Sequence, residues 1–439
     1  MPEVRPFRAL RYESEVIGDL TAVVSPPYDV ISPTQAAVLQ ARHPKNAIRL
    51  DLPVGEQGDG PDDRYRRAAR TFAAWRSDGT FHKDPRPSLY VYEQVYRVPG
   101  STVERIQRGF FGRLRLEPFG PGSGVLPHER TLSAPREDRY KLLRATGVNT
   151  SPVVGLYTDP AGQANTILDE VSRTQPIADV TDDDGVRHRM WALAADGPEA
   201  AQVAALVAAA GAGPITIADG HHRYETALRY RDERRMSRSC EEDPAFDYIL
   251  MLFLESAGTL TVLPTHRVLG GLGDDGIATL RLGLVDLFDE QPVTDSVDLI
   301  KAFGAAAGAR GGAGRFGLWT RSGGAILTAR RPAFAALLPS GGEALRRLDV
   351  TLLQAVLERV AGIDQAAVAA GRVAYTKSAE EAIAWVDGAS DGADVAFLLE
   401  PTPVASIVEV AGQGDVMPQK STYFYPKPLT GLVLNPHEW

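Results

Sequence analysis

The chain lacks the features of extracellular, membrane-spanning and nucleic-acid-binding proteins. Its 439 residues include one cysteine, Cys240, which excludes an internal disulfide and any cysteine-rich metal site. The net charge of −9 argues against nucleic-acid or anionic-membrane partners, because both need clustered lysine and arginine. No apolar run is long enough to cross a bilayer, and the first residues lack the apolar core of a signal peptide. We therefore expect a cytoplasmic protein with no nucleic-acid or membrane partner.

Several common catalytic motifs are also missing. The sequence has no phosphate-binding Gly-x-x-x-x-Gly-Lys loop, no Gly-x-Gly-x-x-Gly turn after a strand, no His-Glu-x-x-His helix and no Gly-x-Ser-x-Gly elbow. These absences argue against the common nucleotide-binding, zinc-protease and serine-hydrolase families.

The apolar content, 44% of the residues, is enough to fill a large folded core. Short β-branched runs alternate with segments of helical periodicity, which predicts an α/β (mixed α+β) fold with a mixed sheet. We expect an α/β region at 1–120, a core at 121–270, a Gly/Ala-rich inserted subdomain at 271–346 and a C-terminal α/β region at 347–439.

The most informative stretch is the one from Pro214 to Leu228. The run from Ile215 to Ala218 predicts a buried strand, Gly220 permits a sharp turn, and helical spacing follows. A junction of this kind presents backbone N–H groups and the positive end of a helix to whatever lies above it. The stretch therefore predicts an anion site, and a phosphate would suit it.

Four side chains at this junction are candidates for chemistry. The planar fork of Arg223 suits a phosphate, and Asp219 could hold Mg²⁺, which prefers carboxylate and phosphate oxygens. The adjacent His221 and His222 point about 100° apart on a helix, so we expect one to contact a ligand while the other packs or caps. The alternative is an ordinary turn followed by helix-entry histidines.

Polar residues elsewhere could join this site. Glu129, beside His128, could act as a general base or a metal ligand, although a surface ion pair is the commoner fate of such a glutamate. Other loops could contribute substrate contacts, each also open to a structural role: Tyr28, Asp29, His266, Arg267, Lys420 and Lys427. A zinc site built from the histidines fits no standard ligand spacing.

Six motifs together resemble one family, the bacterial and archaeal domain of unknown function 1015. They are Arg5-Pro-Phe-Arg8, Pro26-Pro-Tyr-Asp-Val-Ile31, Leu126-Pro-His-Glu-Arg-Thr131, Ala218-Asp-Gly-His-His-Arg223, Leu263-Pro-Thr-His-Arg267 and Met417-Pro-Gln-Lys-Ser-Thr-Tyr-Phe-Tyr-Pro426. The resemblance covers nearly the whole chain and names no reaction.

A shorter resemblance implies a chemistry. The stretch from Asp219 to Arg223 is similar to the phosphate-binding box of ParB/sulfiredoxin-fold proteins, and especially of free-serine kinases. It implies a ParB/sulfiredoxin-like nucleotide-binding core, with Gly220, His221, His222 and Arg223 at the nucleotide. His128 and Glu129 match the kinases' second motif, whose glutamate activates the acceptor hydroxyl. The segment between the two motifs is longer here than in the compact kinases, so it must loop out.

The resemblance implies a kinase that uses ATP, ADP or another nucleotide with Mg²⁺ bound at Asp219. Its substrate would be a small hydroxylated metabolite such as free serine or a related hydroxy acid. Glu129, His128 and Asp219 would be catalytic. Two alternatives remain: a nucleotide-binding switch with slow hydrolysis, which could close a homodimer, and a phosphohydrolase.

Overall fold

A nine-stranded mixed sheet forms the larger part of the computed structural model, which describes residues 1–131, 133–237, 242–304, 314–389 and 392–439. From one edge to the other the strands are Val125–Leu126, Ile215–Asp219, Val153–Tyr157, Tyr248–Glu255, Glu104–Arg115, Ser88–Arg97, Arg187–Ala194 and Ala178–Thr181, with Val4–Arg5 paired beside Glu104–Arg115. The strand Ile215–Asp219, which belongs to the stretch from Pro214 to Leu228, lies next to one edge of this sheet.

Strand directions in this sheet confirm the predicted mixed α+β fold. Val125–Leu126 runs parallel to Ile215–Asp219, and Tyr248–Glu255 runs parallel to Val153–Tyr157, whereas the other neighbours are antiparallel. Strand-like runs on either side of Pro99-Gly100 predict a β-hairpin, and the structure has it, because Ser88–Arg97 pairs antiparallel with Glu104–Arg115.

Helices connect the strands and cover both sheets. They span Ser14–Ile17, Leu20–Val23, Pro33–Arg42, Ile48–Asp51, Asp63–Ser77, Ser133–Thr146, Gln163–Val171, Ala200–Gly211, His221–Ser237, Gly273–Val285, Ser296–Phe303, Glu343–Arg346, Asp349–Arg359, Gln365–Ala369, Ala379–Ala384 and Val404–Gly412. The helix that starts at Pro33 shows why sequence cues work locally. Ser32 followed by Pro33 predicts a capped helix start, and Ser32 and Gln35 form the reciprocal hydrogen bonds of a capping box there.

The helix His221–Ser237 packs against the large sheet and against Ser133–Thr146. Its residues Tyr224, Ala227 and Tyr230 recur at helical spacing and are buried in the same apolar cluster as Ile215 and Ile217. This burial holds the start of the helix at the end of the strand before it.

A second sheet has six strands in the order Phe288–Val293, Gly323–Ala329, Arg315–Thr320, Ala393–Leu398, His266–Gly270 and Val373–Thr376. Its neighbours are all antiparallel. Three further strand pairs join distant parts of the chain: Leu10–Tyr12 with Phe81–Lys83, Thr261–Leu263 with Tyr423–Tyr425, and Val148–Asn149 with Asn435–Pro436.

The two sheets group the chain differently from the predicted domain boundaries. Strands from 1–120 lie in the middle of the large sheet, beside strands of 121–270. The second sheet combines the strand His266–Gly270 with strands from 271–346 and from 347–439, and the last segment of the chain pairs with Val148–Asn149 in a separate two-stranded sheet. Local composition predicted the boundaries, but hydrogen bonds between distant strands decide which segments share a sheet.

In the described part of the chain, no helix is long and apolar enough to span a membrane. Cys240, whose polar and charged sequence neighbours predict a surface loop, lies outside the described residues.

Candidate active site

Two parallel strands bring Glu129 and Asp219 to the same place. Val125 pairs with Ile215 and Leu126 pairs with Thr216, and each carboxylate follows its strand's paired residue at the same spacing. Both residues line one pocket of about 270 Å³. The longer segment between the two motifs is therefore looped out through the helices and strands between them, as the resemblance required.

The pocket lies between the large sheet, the second sheet and the C-terminal segment. Its lining comes from short stretches far apart in the sequence: Tyr28, Asp29, Val30, Glu129, Arg130, Ala218, Asp219, Gly220, His221, His222, Thr265, Tyr375, Thr376, Lys377, Lys420, Thr422, Tyr423 and Lys427. The lining includes both cationic and anionic side chains, which suits a polar, charged ligand.

Asp219 is held by two cations. Arg223 Nη2 donates to Oδ2 at 2.8 Å, and Lys427 Nζ donates to Oδ1 at 3.1 Å. Burial opposes ionisation of this carboxyl group, but the charges of Lys427 and Arg223 outweigh it and hold its pKa well below the usual range. Asp219 is therefore a carboxylate at any working pH.

This arrangement does not fit the predicted metal at Asp219, because both of its carboxylate oxygens already accept from cationic groups. Among the described residues, no three histidine, cysteine, aspartate or glutamate side chains are grouped to hold a metal. The residues that the structure describes therefore offer no ready site for the predicted Mg²⁺.

Arg223 faces away from the pocket that it was predicted to serve. Its Nη1 donates to the carbonyl oxygen of Pro152 while its Nη2 binds Asp219, and the side chain is 8% exposed. Gly220 makes this possible, because with φ of +89° it turns the chain sharply and leaves room for the guanidinium group. In this structure Arg223 holds the carboxylate of Asp219 in place. The cationic wall of the pocket is formed by the start of the helix His221–Ser237 and by the ammonium group of Lys427.

Glu129 is half-buried and anchored by the C-terminal segment. Its Oε1 accepts the backbone N–H of Lys420 at 3.0 Å, and its backbone forms a parallel bridge with Met417. Burial raises the pKa of Glu129, although the N–H groups and charge of Lys420 and the N–H of Ser421 oppose the rise. A carboxylate with a raised pKa is suited to accept a proton from a bound hydroxyl group.

The adjacent histidines have different surroundings. His128 is fully buried between the carbonyl of Ile217 and the hydroxyl of Thr422, and burial lowers its pKa to about 4. His221 Nε2 accepts the backbone N–H of His128 at 3.2 Å, so this ring is neutral, and burial likewise lowers its pKa. His222 lines the pocket and is less buried. His128 thus supports the site from behind and does not line it.

His266 and Arg267 are also buried away from the pocket. Nδ1 of His266 accepts the N–H of Leu399 at 3.1 Å, and burial lowers the pKa of this histidine to about 3. Arg267 donates to the carbonyl oxygens of Thr265 and Lys420, at 2.7 and 3.4 Å. His266 therefore joins its strand to the end of the neighbouring strand Ala393–Leu398, Arg267 joins it to the C-terminal segment, and neither of these predicted substrate residues lines the cavity.

Of the other predicted contacts, Tyr28, Asp29 and Lys420 do line the pocket. Arg139 stacks over the ring of Tyr28 at 3.9 Å, which fixes that ring from one side. Lys420 has φ of +54°, an uncommon conformation for a residue other than glycine, and it directs its N–H to Glu129.

Sequence reasoning missed the residues that the second sheet contributes, above all Lys377. This lysine follows the strand Val373–Thr376, and no motif there signals a site. Tyr423 lies within the family motif at 417–426, and the lysines and aromatic residues around it are the sequence signal that this segment is unlike a core strand.

Chemically, the pocket combines a general-base candidate with an anion-binding wall. The start of the helix His221–Ser237 and the ammonium groups of Lys427 and Lys420 can hold phosphate oxygens, and Glu129 faces the same space. The site can therefore place a phosphate next to a hydroxyl group whose proton Glu129 accepts.

Comparisons with known proteins give one family and several distant structures. A free serine kinase in complex with AMP aligns at 12% identity with a TM-score of 0.36, over 69% of this chain and 83% of that chain. A conserved hypothetical protein from Pyrococcus furiosus aligns at 13% identity with a TM-score of 0.35, over 70% of this chain and 88% of that chain. A comparison with curated proteins finds no match. The profile of the family described as protein of unknown function (DUF1015) matches residues 4–351, and the chain belongs to this family, as its motifs predicted.

Proposed function

We propose that the protein is a nucleotide-dependent kinase that phosphorylates a small hydroxylated metabolite. The observation that carries the proposal is the shared pocket of Glu129 and the start of the helix His221–Ser237, which adjacent parallel strands bring together. Phosphoryl transfer needs chiefly positioning and charge neutralisation, and these groups supply both.

In this proposal Glu129 accepts the proton of the acceptor hydroxyl. The acceptor oxygen forms a bond to the terminal phosphorus as the bond between that phosphorus and the bridging oxygen breaks, and the electron pair leaves with the nucleotide. Lys427 and the N–H groups at the helix start stabilise the charge on the phosphate oxygens. Asp219 keeps Lys427 in place, because the ammonium retains donors beyond the one that it gives to the carboxylate.

The small volume of the pocket favours a small acceptor, and we propose free serine or a related hydroxy acid as the first to test. The donor is ATP, ADP or another nucleotide, and Mg²⁺ would arrive with its phosphates.

The test is product formation from defined donors. The purified protein is incubated with Mg²⁺, with ATP, ADP or CTP, and with serine or a pool of hydroxylated metabolites, and phosphorylated products are identified by mass spectrometry. A phospho-metabolite formed with one donor supports the kinase. Release of inorganic phosphate alone would instead indicate a hydrolase or a switch, and no product with any donor refutes the proposal.

Glu129→Gln separates binding from turnover. It should lower kcat by roughly 10²- to 10⁴-fold, because the base is lost, while nucleotide affinity stays unchanged. The matched control is Glu137→Gln, since Glu137 is a half-exposed glutamate that pairs with Arg229 outside the pocket. Full turnover by the Glu129 variant would remove this residue from the mechanism.

A further inference from the structure

A second cavity adjoins the candidate active site. It has a volume of about 840 Å³ and shares Thr376, Lys377 and Tyr423 with the pocket that contains Glu129 and Asp219. The shared residues form a wall of one strand end from the second sheet and one short strand from the C-terminal segment. The two cavities therefore meet at Lys377 and Tyr423.

Two lysines flank the ring of Tyr423 at this wall. Nζ of Lys377 lies 4.2 Å from the ring centroid, and Nζ of Lys427 lies 4.4 Å from it. Lys427 forms an ion pair with Asp219, whereas Lys377 has no ion pair within the part of the chain that the structure describes. Burial lowers the pKa of Lys377, and the carboxylates of Asp184 and Glu381 oppose this through space without forming an ion pair. An anionic ligand group would supply the direct partner that this partly buried ammonium lacks.

The volumes of the two cavities indicate what kind of ligand extends from one cavity into the other. Pockets for ligands of drug size have volumes of roughly 300–1,000 Å³, so the active-site pocket of about 270 Å³ is too small for a whole nucleotide together with an acceptor. The second cavity, at about 840 Å³, can hold a nucleoside. We propose, on the basis of the kinase function above, that the two cavities are one nucleotide site. The nucleoside lies in the second cavity, and its phosphates pass Lys377 and Lys427 to reach the start of the helix His221–Ser237.

The residues that line the second cavity fit a nucleoside there and phosphates in the active-site pocket. Tyr425 packs edge-on against Tyr96 at 5.6 Å, and both belong to an apolar cluster with Val98 and Leu263, which gives a base an aromatic and aliphatic surface. The carboxylates of Asp184 and Glu380 also line this cavity. Carboxylates accept hydrogen bonds from ribose hydroxyls but repel phosphates, so the phosphate chain is directed toward the lysines.

The test is calorimetric binding to the full-length protein with three probes: ADP, adenosine and tripolyphosphate, with CDP and cytidine in parallel. Lys377→Met should weaken ADP and tripolyphosphate binding by roughly tenfold or more, the effect of one lost charged hydrogen bond, and should spare adenosine. Tyr425→Ala should weaken ADP and adenosine and should spare tripolyphosphate. Lys377→Arg should restore most of the affinity for ADP, which a folding defect would not allow.

Lys141→Met is the matched control, because Lys141 pairs with Asp62 and lines neither cavity. If the wild-type protein binds no nucleotide, the kinase proposal itself fails. If the wild type binds ADP or CDP while the Lys377 and Tyr425 variants bind it equally well, the shared site is refuted and the kinase stands. A Lys377 variant that loses affinity only for the acceptor would also overturn the inference, since the second cavity would then hold the acceptor.

Discussion

Substitution of Gly220 by alanine should be more costly than substitution at a typical left-handed glycine. Gly220 has φ of +89°, and a Cβ atom there would lie 3.0 Å from Nε and 3.1 Å from Cζ of Arg223. The guanidinium cannot simply swing away, because it is bonded to Pro152 on one side and Asp219 on the other. The new methyl group therefore has to break at least one of these contacts.

The expected loss in the free energy of unfolding has two parts. A side chain in the left-handed region costs about 1–2 kcal/mol relative to glycine. Loss of one hydrogen bond to a charged group adds about 1.5–3 kcal/mol. We therefore expect Gly220→Ala to lower the free energy of unfolding by about 2.5–5 kcal/mol.

Gly147→Ala is the control that measures the cost of the left-handed backbone alone. Gly147 has φ of +64°, and a Cβ atom there would meet nothing within 4 Å, so this variant should lose only about 1–2 kcal/mol. Urea denaturation followed by tryptophan fluorescence, under one set of conditions, compares the two variants with the wild type. Adding Arg223→Met should remove most of the extra cost at Gly220, because the crowded group is gone.

Equal costs at Gly220 and Gly147 would refute this reasoning, as would additivity of the Gly220 and Arg223 substitutions. Either result would mean that the Arg223 side chain moves aside without loss of stability and that its hydrogen bonds do not hold Asp219 in place.

Two further predictions concern pH. Burial lowers the pKa of His266 to about 3, against roughly 6.5 in an unfolded chain, so its contribution to stability is complete above pH 6.5 and is lost as the pH falls toward 3. His266→Asn should flatten the decline of stability across that range, and an unchanged slope in acid denaturation would contradict the assignment. Because burial raises the pKa of Glu129, and a base acts only when deprotonated, the acidic limb of kcat should lie above the roughly 4.3 of a free glutamate. A pH–rate profile that stays flat to pH 4 would argue against Glu129 as the base.

Local features of the site were accessible from the sequence. The β-branched run at Ile215, the glycine at 220 and the helical spacing after it are each decided by neighbouring residues, and the strand, turn and helix occur as predicted. The capping box at Ser32 is local in the same way. Residue types alone could not show which polar side chains face the ligand, and His128, Arg223, His266 and Arg267 prove to be buried among protein partners.

The sequence by itself determined the strand-to-helix junction with its Asp219 and Gly220, the mixed α+β class and the family motifs, because these depend on short-range sterics, periodicity and residue type. Only the tertiary structure decided that Glu129 stands beside Asp219, through a parallel pairing of two strands far apart in the chain. It also turned Arg223 toward the carbonyl of Pro152 and brought Lys377 from the second sheet to the pocket wall. Long side chains take whichever partners the packing of distant segments places within reach, and no local pattern encodes that choice.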